Sequence, residues 1–194
     1  NYCGKYLKDC QDCPQIDKKK NVVCKRLVEK ARLFKAAQIQ FVGCSNWITE
    51  QYNNSFIGKY ATKRCITIHN PISEKKDNNI IRKKEEKIII LFGAVNAIND
   101  TRKGFNYLEK AVKYLDKSKY KIIYFGSEED LKDKLCIESK SLGYINDDEV
   151  LYEAYKMADV FVAPSLQENL ANTVLESLAA GTPAVAFDIG GMSD

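Results

Sequence analysis

The sequence predicts an α/β fold, an open parallel sheet with helices on both faces. Five short apolar runs recur in the second half of the chain, at residues 88–93, 120–126, 142–145, 159–163 and 184–187. Segments with helical spacing separate them, near 103–115, 129–137, 147–157 and 173–180. Strands this apolar are buried on both sides, and 10–15-residue helices are the length of the crossovers that parallel strands need. Composition agrees: 194 residues, 45% hydrophobic and 29% charged, describe an ordinary globular chain. The longest apolar run, residues 88–95, falls far short of the ~20 residues a membrane helix requires. A net charge of +4 demands no nucleic-acid partner.

From the beginning, residues 1–20 read as an irregular loop carrying cysteines. Over 22–38, Val23, Leu27, Ala31 and Phe34 recur at helical spacing, with Lys25, Arg26, Lys30, Arg32 and Lys35 mostly elsewhere. This is an amphipathic basic helix. Its basic face is either solvated or laid against an anionic membrane surface. Residues 41–45 read as a strand entering a helix over 47–56, capped by Ser45 or Asn46. A further strand, 64–70, is stopped by Asn70-Pro71. The charged stretch 73–86 reads as a linker, which divides the chain into 1–72, 73–86 and 87–194.

Seven cysteines are spread unevenly along the chain. Cys44, Cys65 and Cys136 lie in or at the end of apolar runs and read as small buried hydrophobes. Cys3, Cys10 and Cys13 form Cys-x6-Cys-x2-Cys-Pro, a spacing that in a reducing compartment favours metal over disulfide. Three thiolates leave a tetrahedral zinc site one ligand short, to be completed by Cys24 or a residue upstream. Structural zinc, packed thiols and disulfides all stay open. The lone His69 sits beside the crossover and reads as structural. Asp147-Asp148 reads as a helix cap. No glycine-rich dinucleotide fingerprint and no P-loop occur.

Two places carry chemistry. Arg102 and Lys103 open the helix that begins near 103, where the helix dipole disfavours cations. The pair makes sense if a diphosphate lies in front of it; for Arg102 an exposed loop charge is the other reading. The second place follows the strand 159–163: Pro164-Ser165, then Glu168 in the loop, then Glu176 in the first turn or so of a helix that Asn172 or Thr173 can cap. Gly181 and Pro183 punctuate its end. The N–H groups of Asn169, Leu170, Ala171, Asn172 and Thr173 suit phosphate. Two carboxylates beside phosphate repel it, so sugar hydroxyls are their natural partners.

With its flanks, from the apolar strand through Glu168 and Glu176 to Ala179-Ala180-Gly181-Thr182-Pro183, this segment resembles the Glu-x7-Glu signature of family four glycosyltransferases. These are retaining, nucleotide-sugar-dependent enzymes, and the likeness is to the colanic-acid or exopolysaccharide type of group one. The resemblance implies the two-domain GT-B fold. Residues 87–194 would then be a Rossmann-like donor domain, incomplete at its C-terminus. Residues 1–72 would be the tail of the N-terminal, acceptor-side α/β domain, and the chain is expected to be a fragment.

The resemblance further implies metal-independent transfer of a hexose, with retention, from a UDP- or GDP-sugar to a glycan or lipid-linked acceptor. No catalytic cofactor is implied. The setting would be polysaccharide biosynthesis in the cytoplasm, or at the inner face of the membrane. Lys103 matches the lysine that contacts the donor diphosphate and stabilises the leaving group. Glu168 would position sugar hydroxyls near the anomeric carbon, and Glu176 would accept from ribose hydroxyls. Tyr144 and Ile145 follow Gly143, where relatives hold the base through backbone groups. Relatives also carry a further cysteine just upstream of Cys3. Two features depart from the pattern: Ala94 stands where an arginine is usual, and residues 169–172 replace a glycine-rich loop. A non-catalytic sugar-nucleotide-binding module is the alternative function. A phosphorylase would need a pyridoxal-phosphate lysine site, which the sequence does not display, and an epimerase would release free UDP and sugar.

Overall fold

The computed structural model describes residues 3–13, 16, 22–73, 86–93, 95, 96, 99–127 and 130–194. Most of the linker expected at 73–86, together with Ala94 and the start of the helix expected at 129, lies outside them. The chain divides into two compact units, Asn1–Asn70 with Asp194, and Pro71–Ser193.

In the first unit, α1 (Val22–Ala37) buries Ala31 and leaves its basic residues exposed, as its spacing predicts. A two-stranded parallel pair, β1 (Val42–Gly43) and β2 (Ile66–Thr67), is shorter than the runs expected there. The predicted 47–56 helix is two helices, α2 (Asn46–Asn54) and α3 (Phe56–Tyr60). Ser55 makes the break: its hydroxyl accepts from the Gly58 N–H and caps α3. Ser45 caps α2 as expected, accepting from the Ile48 N–H at 3.1 Å.

The second unit is a five-stranded, all-parallel sheet in the order β5-β4-β3-β6-β7. Its strands are β3 (Ile88–Gly93), β4 (Tyr120–Phe125), β5 (Ser139–Ser141), β6 (Val160–Ala163) and β7 (Ala184–Ala186). The helices are α4 (Phe105–Ala111), α5 (Asp148–Met157) and α6 (Asn172–Ala179). Strand alternation sorts the core. Ile90, Phe92, Ile122 and Tyr124 pack on one face with Phe105, Leu108 and Val112. Ile89, Leu91, Ile123 and Phe125 pack on the other with Tyr155, Ala158 and Phe161.

Three expectations are corrected here. Residues 130–137 form turns, not a helix. The buried Tyr124 hydroxyl accepts from the Leu131 N–H at 2.9 Å, and the Asp130 carboxylate accepts from the Lys132 N–H at 3.0 Å. Those side chains give the backbone a competing set of partners, while Leu131, Leu135 and Ile137 still fill the core. The strand placed at 142–145 is β5, three residues earlier. As an edge strand it is polar (Ser139-Lys140-Ser141), so no apolar run marks it. Cys136, read as buried, is exposed.

Candidate functional site

From β3 the chain moves outward through β4 to β5, then returns to the other side of β3 as β6. This reversal is a switch point, and the crevice outside the strands' carboxyl ends there is where open α/β sheets bind ligands. The loops after β3 and β6 flank it, and they carry the residues singled out above.

These loops are joined by backbone. The Leu166 N–H donates to the Arg102 carbonyl at 2.7 Å. Gly104 has φ +68°, and a Cβ there would lie 1.8 Å from the Pro164 carbonyl oxygen, so only glycine allows the approach. On the far side Gly190, φ +59°, backs onto the Glu168 carbonyl in the same way. Within this frame Lys103 Nζ lies 2.7 Å from Glu168 Oε1, the two side chains 34% and 18% exposed. The hydroxyl of buried Ser165 donates to the same oxygen at 3.1 Å.

Arg102 is engaged differently. Its Nε and Nη2 donate to the two Asp100 oxygens at 2.9 and 2.8 Å. The guanidinium holds the Asp100 carboxyl well below the usual carboxylate range. Two cations and two carboxylates thus leave the loop pair neutral in sum.

Glu176 sits on α6, where Oε2 accepts from the Tyr155 hydroxyl at 3.0 Å. Both line a cavity of about 140 Å³ with Asp148, Leu151, Asn172 and the Pro71–Ser73 segment. Burial, and after it the Glu176 charge, push the Tyr155 phenol far above its ordinary value.

The N-cap of α6 is Ala171, with no side-chain cap, so neither Asn172 nor Thr173 closes the helix as expected. Asn169 and Asn172 are exposed, and Leu170 and Thr173 partly so. Tyr144 (exposed) and Ile145 (partly buried) follow β5 in the loop to α5. Asp147 caps α5, accepting from the Glu149 and Val150 N–H groups at 2.7 and 3.2 Å. His69 is exposed in the first unit. Cys3, Cys10, Cys13 and Cys24 are partly buried and unbridged. Among the described residues no three or more His, Cys, Asp or Glu side chains are grouped to hold a metal ion.

Sequence reasoning did not find Asp100, Ser165 or Tyr155. Tyr155 lies one helical turn from Leu151 and reads as a core aromatic. Nothing local signals that its hydroxyl reaches Glu176, 21 positions on.

The family model described as glycosyl transferases group 1 matches residues 86–194. An uncharacterized glycosyltransferase of Methanocaldococcus jannaschii is 36% identical over 119 residues, covering 57% of this chain and 29% of that protein. Sucrose-phosphate synthase from Thermosynechococcus elongatus superposes with a TM-score of 0.65 at 20% identity, over 87% of this chain and 45% of that one. A mutant of S. aureus TarM, solved in complex with Fondaparinux, alpha-GlcNAc-glycerol and UDP, gives 0.60 at 17% identity, over 83% and 32%. The chain spans less than half the length of each. These likenesses show the GT-B fold.

Proposed function

The chain belongs to the group 1 glycosyl transferases, and from that premise we propose that it carries the donor side of a retaining sugar transfer. The donor is a UDP- or GDP-linked hexose and the acceptor a glycan or a lipid-linked sugar. The observation that carries this reading is the 2.7 Å contact between Lys103 and Glu168 at the switch point. A cation suited to phosphate and a carboxylate suited to hydroxyls meet there, where a sugar diphosphate needs both. The UDP of the TarM complex supports UDP as the first donor to test.

In the proposed step the bond between the anomeric carbon and the diphosphate oxygen breaks, and the diphosphate keeps the electron pair. The acceptor hydroxyl attacks from the same face, and its proton passes to the donor phosphate. Negative charge develops on the diphosphate, where Lys103 stabilises it without reorganisation at the moment of reaction. The start of α6, residues 170–173, adds main-chain donors. Arg102 contributes once it is shared between Asp100 and the phosphate. Glu168, released from Lys103, accepts from sugar hydroxyls. Glu176 accepts from the ribose, and the base lies by Tyr144 and Ile145.

Calorimetric titration with UDP, GDP and ADP tests the reading. One nucleotide is expected to bind, at least ten-fold more weakly to Lys103→Ala, as the loss of a charge-assisted contact implies. A folded wild type that binds none of the three overturns it.

A further inference from the structure

Tyr155 is 1% exposed and cannot turn. Its ring meets Phe125 and Phe161 edge to face, at centroid distances of 6.0 and 5.4 Å. Its carbonyl accepts from the buried Thr182 hydroxyl at 2.6 Å. The Thr182 carbonyl in turn accepts from the Ser177 hydroxyl at 2.8 Å, and Ser177 is the neighbour of Glu176 on α6. Through these bonds α5 and α6 hold the phenol and the carboxylate in a fixed relation.

We propose that Tyr155 is a positioning residue for nucleoside recognition. By donating to Glu176 Oε2 it fixes the carboxylate beside the cavity and leaves Oε1 to accept from the 2′,3′-diol of a ribose. The inference rests on the donor-site reading of Glu176 above.

Four physical points carry it. An ionised carboxylate only accepts, and a vicinal diol supplies two donors, so one oxygen held by the protein still leaves lone pairs for both hydroxyls. If Glu176 swung into solvent, the buried phenol would lose its hydrogen bond to Oε2, a cost that keeps the rotamer in place. A phenol this buried stays protonated and therefore stays a donor. A carboxylate already oriented surrenders no side-chain freedom when the ribose arrives, which is how preorganisation strengthens binding.

The test compares the nucleotide that binds in the titration above with its 2′,3′-dideoxy counterpart, on wild type, Tyr155→Phe, Glu176→Gln and the double variant. Tyr155→Phe keeps the ring and its packing. It is expected to bind the ribonucleotide roughly ten-fold more weakly and the dideoxynucleotide as wild type does. Glu176→Gln should show the same ribose-specific loss, and the double variant little more than either single one, because the two groups act as a unit. Undiminished ribonucleotide binding by folded Tyr155→Phe overturns the inference and leaves the donor-site reading standing. Equal losses for the ribo and dideoxy forms do the same, because they mark a merely structural role. A wild type that binds no nucleotide overturns both.

Discussion

Lys103 and Glu168, 65 positions apart, neutralise each other at the mouth of the switch point. The exchange this requires gives a prediction at the scale of one residue. A diphosphate that takes Lys103 must separate it from Glu168, so the pair competes with the ligand. Glu168→Gln removes the competitor. A partly exposed pair is worth up to about 1 kcal/mol, so nucleoside diphosphate affinity should rise by as much as about five-fold. On the proposed role of Glu168 as an acceptor from sugar hydroxyls, the proposed sugar transfer should fall at the same time. Titration beside an activity assay reads both, and weaker diphosphate binding by the variant would contradict the competition. Both residues were legible in the sequence through their motifs. Their mutual contact was not, because nothing local reports which distant charges a fold brings together.

Elements were legible where burial and local chemistry agree. β3, β4 and β6 are apolar because both their faces are covered, and α5 starts where Asp147 caps it. They were illegible where one outweighed the other. β5 is an edge strand of polar residues, with no apolar run to mark it, and 130–137 lost its helix to side-chain bonds from Tyr124 and Asp130. The link between the loops after β3 and β6 depends on Gly104, which has left-handed backbone and stands against the Pro164 carbonyl. Gly104→Ala must bear the roughly 1–2 kcal/mol of a left-handed non-glycine residue and also push the loops apart. A loss of about 2–3 kcal/mol in denaturant unfolding is expected, together with weakened nucleotide binding. An alanine variant with wild-type stability would show that the approach is not tight.

At the scale of the molecule, stability carries an alkaline limb. The folded pKa of Tyr155 lies above its ordinary value of 10.0, chiefly from burial. Such a group contributes fully below its unfolded pKa, and the contribution is lost as pH rises towards the folded value. Thermal unfolding followed from pH 8 to 11.5 should therefore show wild type losing its advantage over Tyr155→Phe above about pH 10. A difference that stays constant across that range would mean that the phenol is not protected. Partly buried Tyr52, raised mainly by desolvation, adds to the slope in both proteins. The sequence by itself determined the parallel α/β class, the core strands and the two glutamates with their lysine, since hydrophobic period, caps and short motifs are local properties. Only the tertiary structure decided the polar edge strand, the Lys103–Glu168 pairing, the glycine-backed loops and the hold of Tyr155 on Glu176. Those depend on distances between segments far apart in the chain, which strand order and packing set.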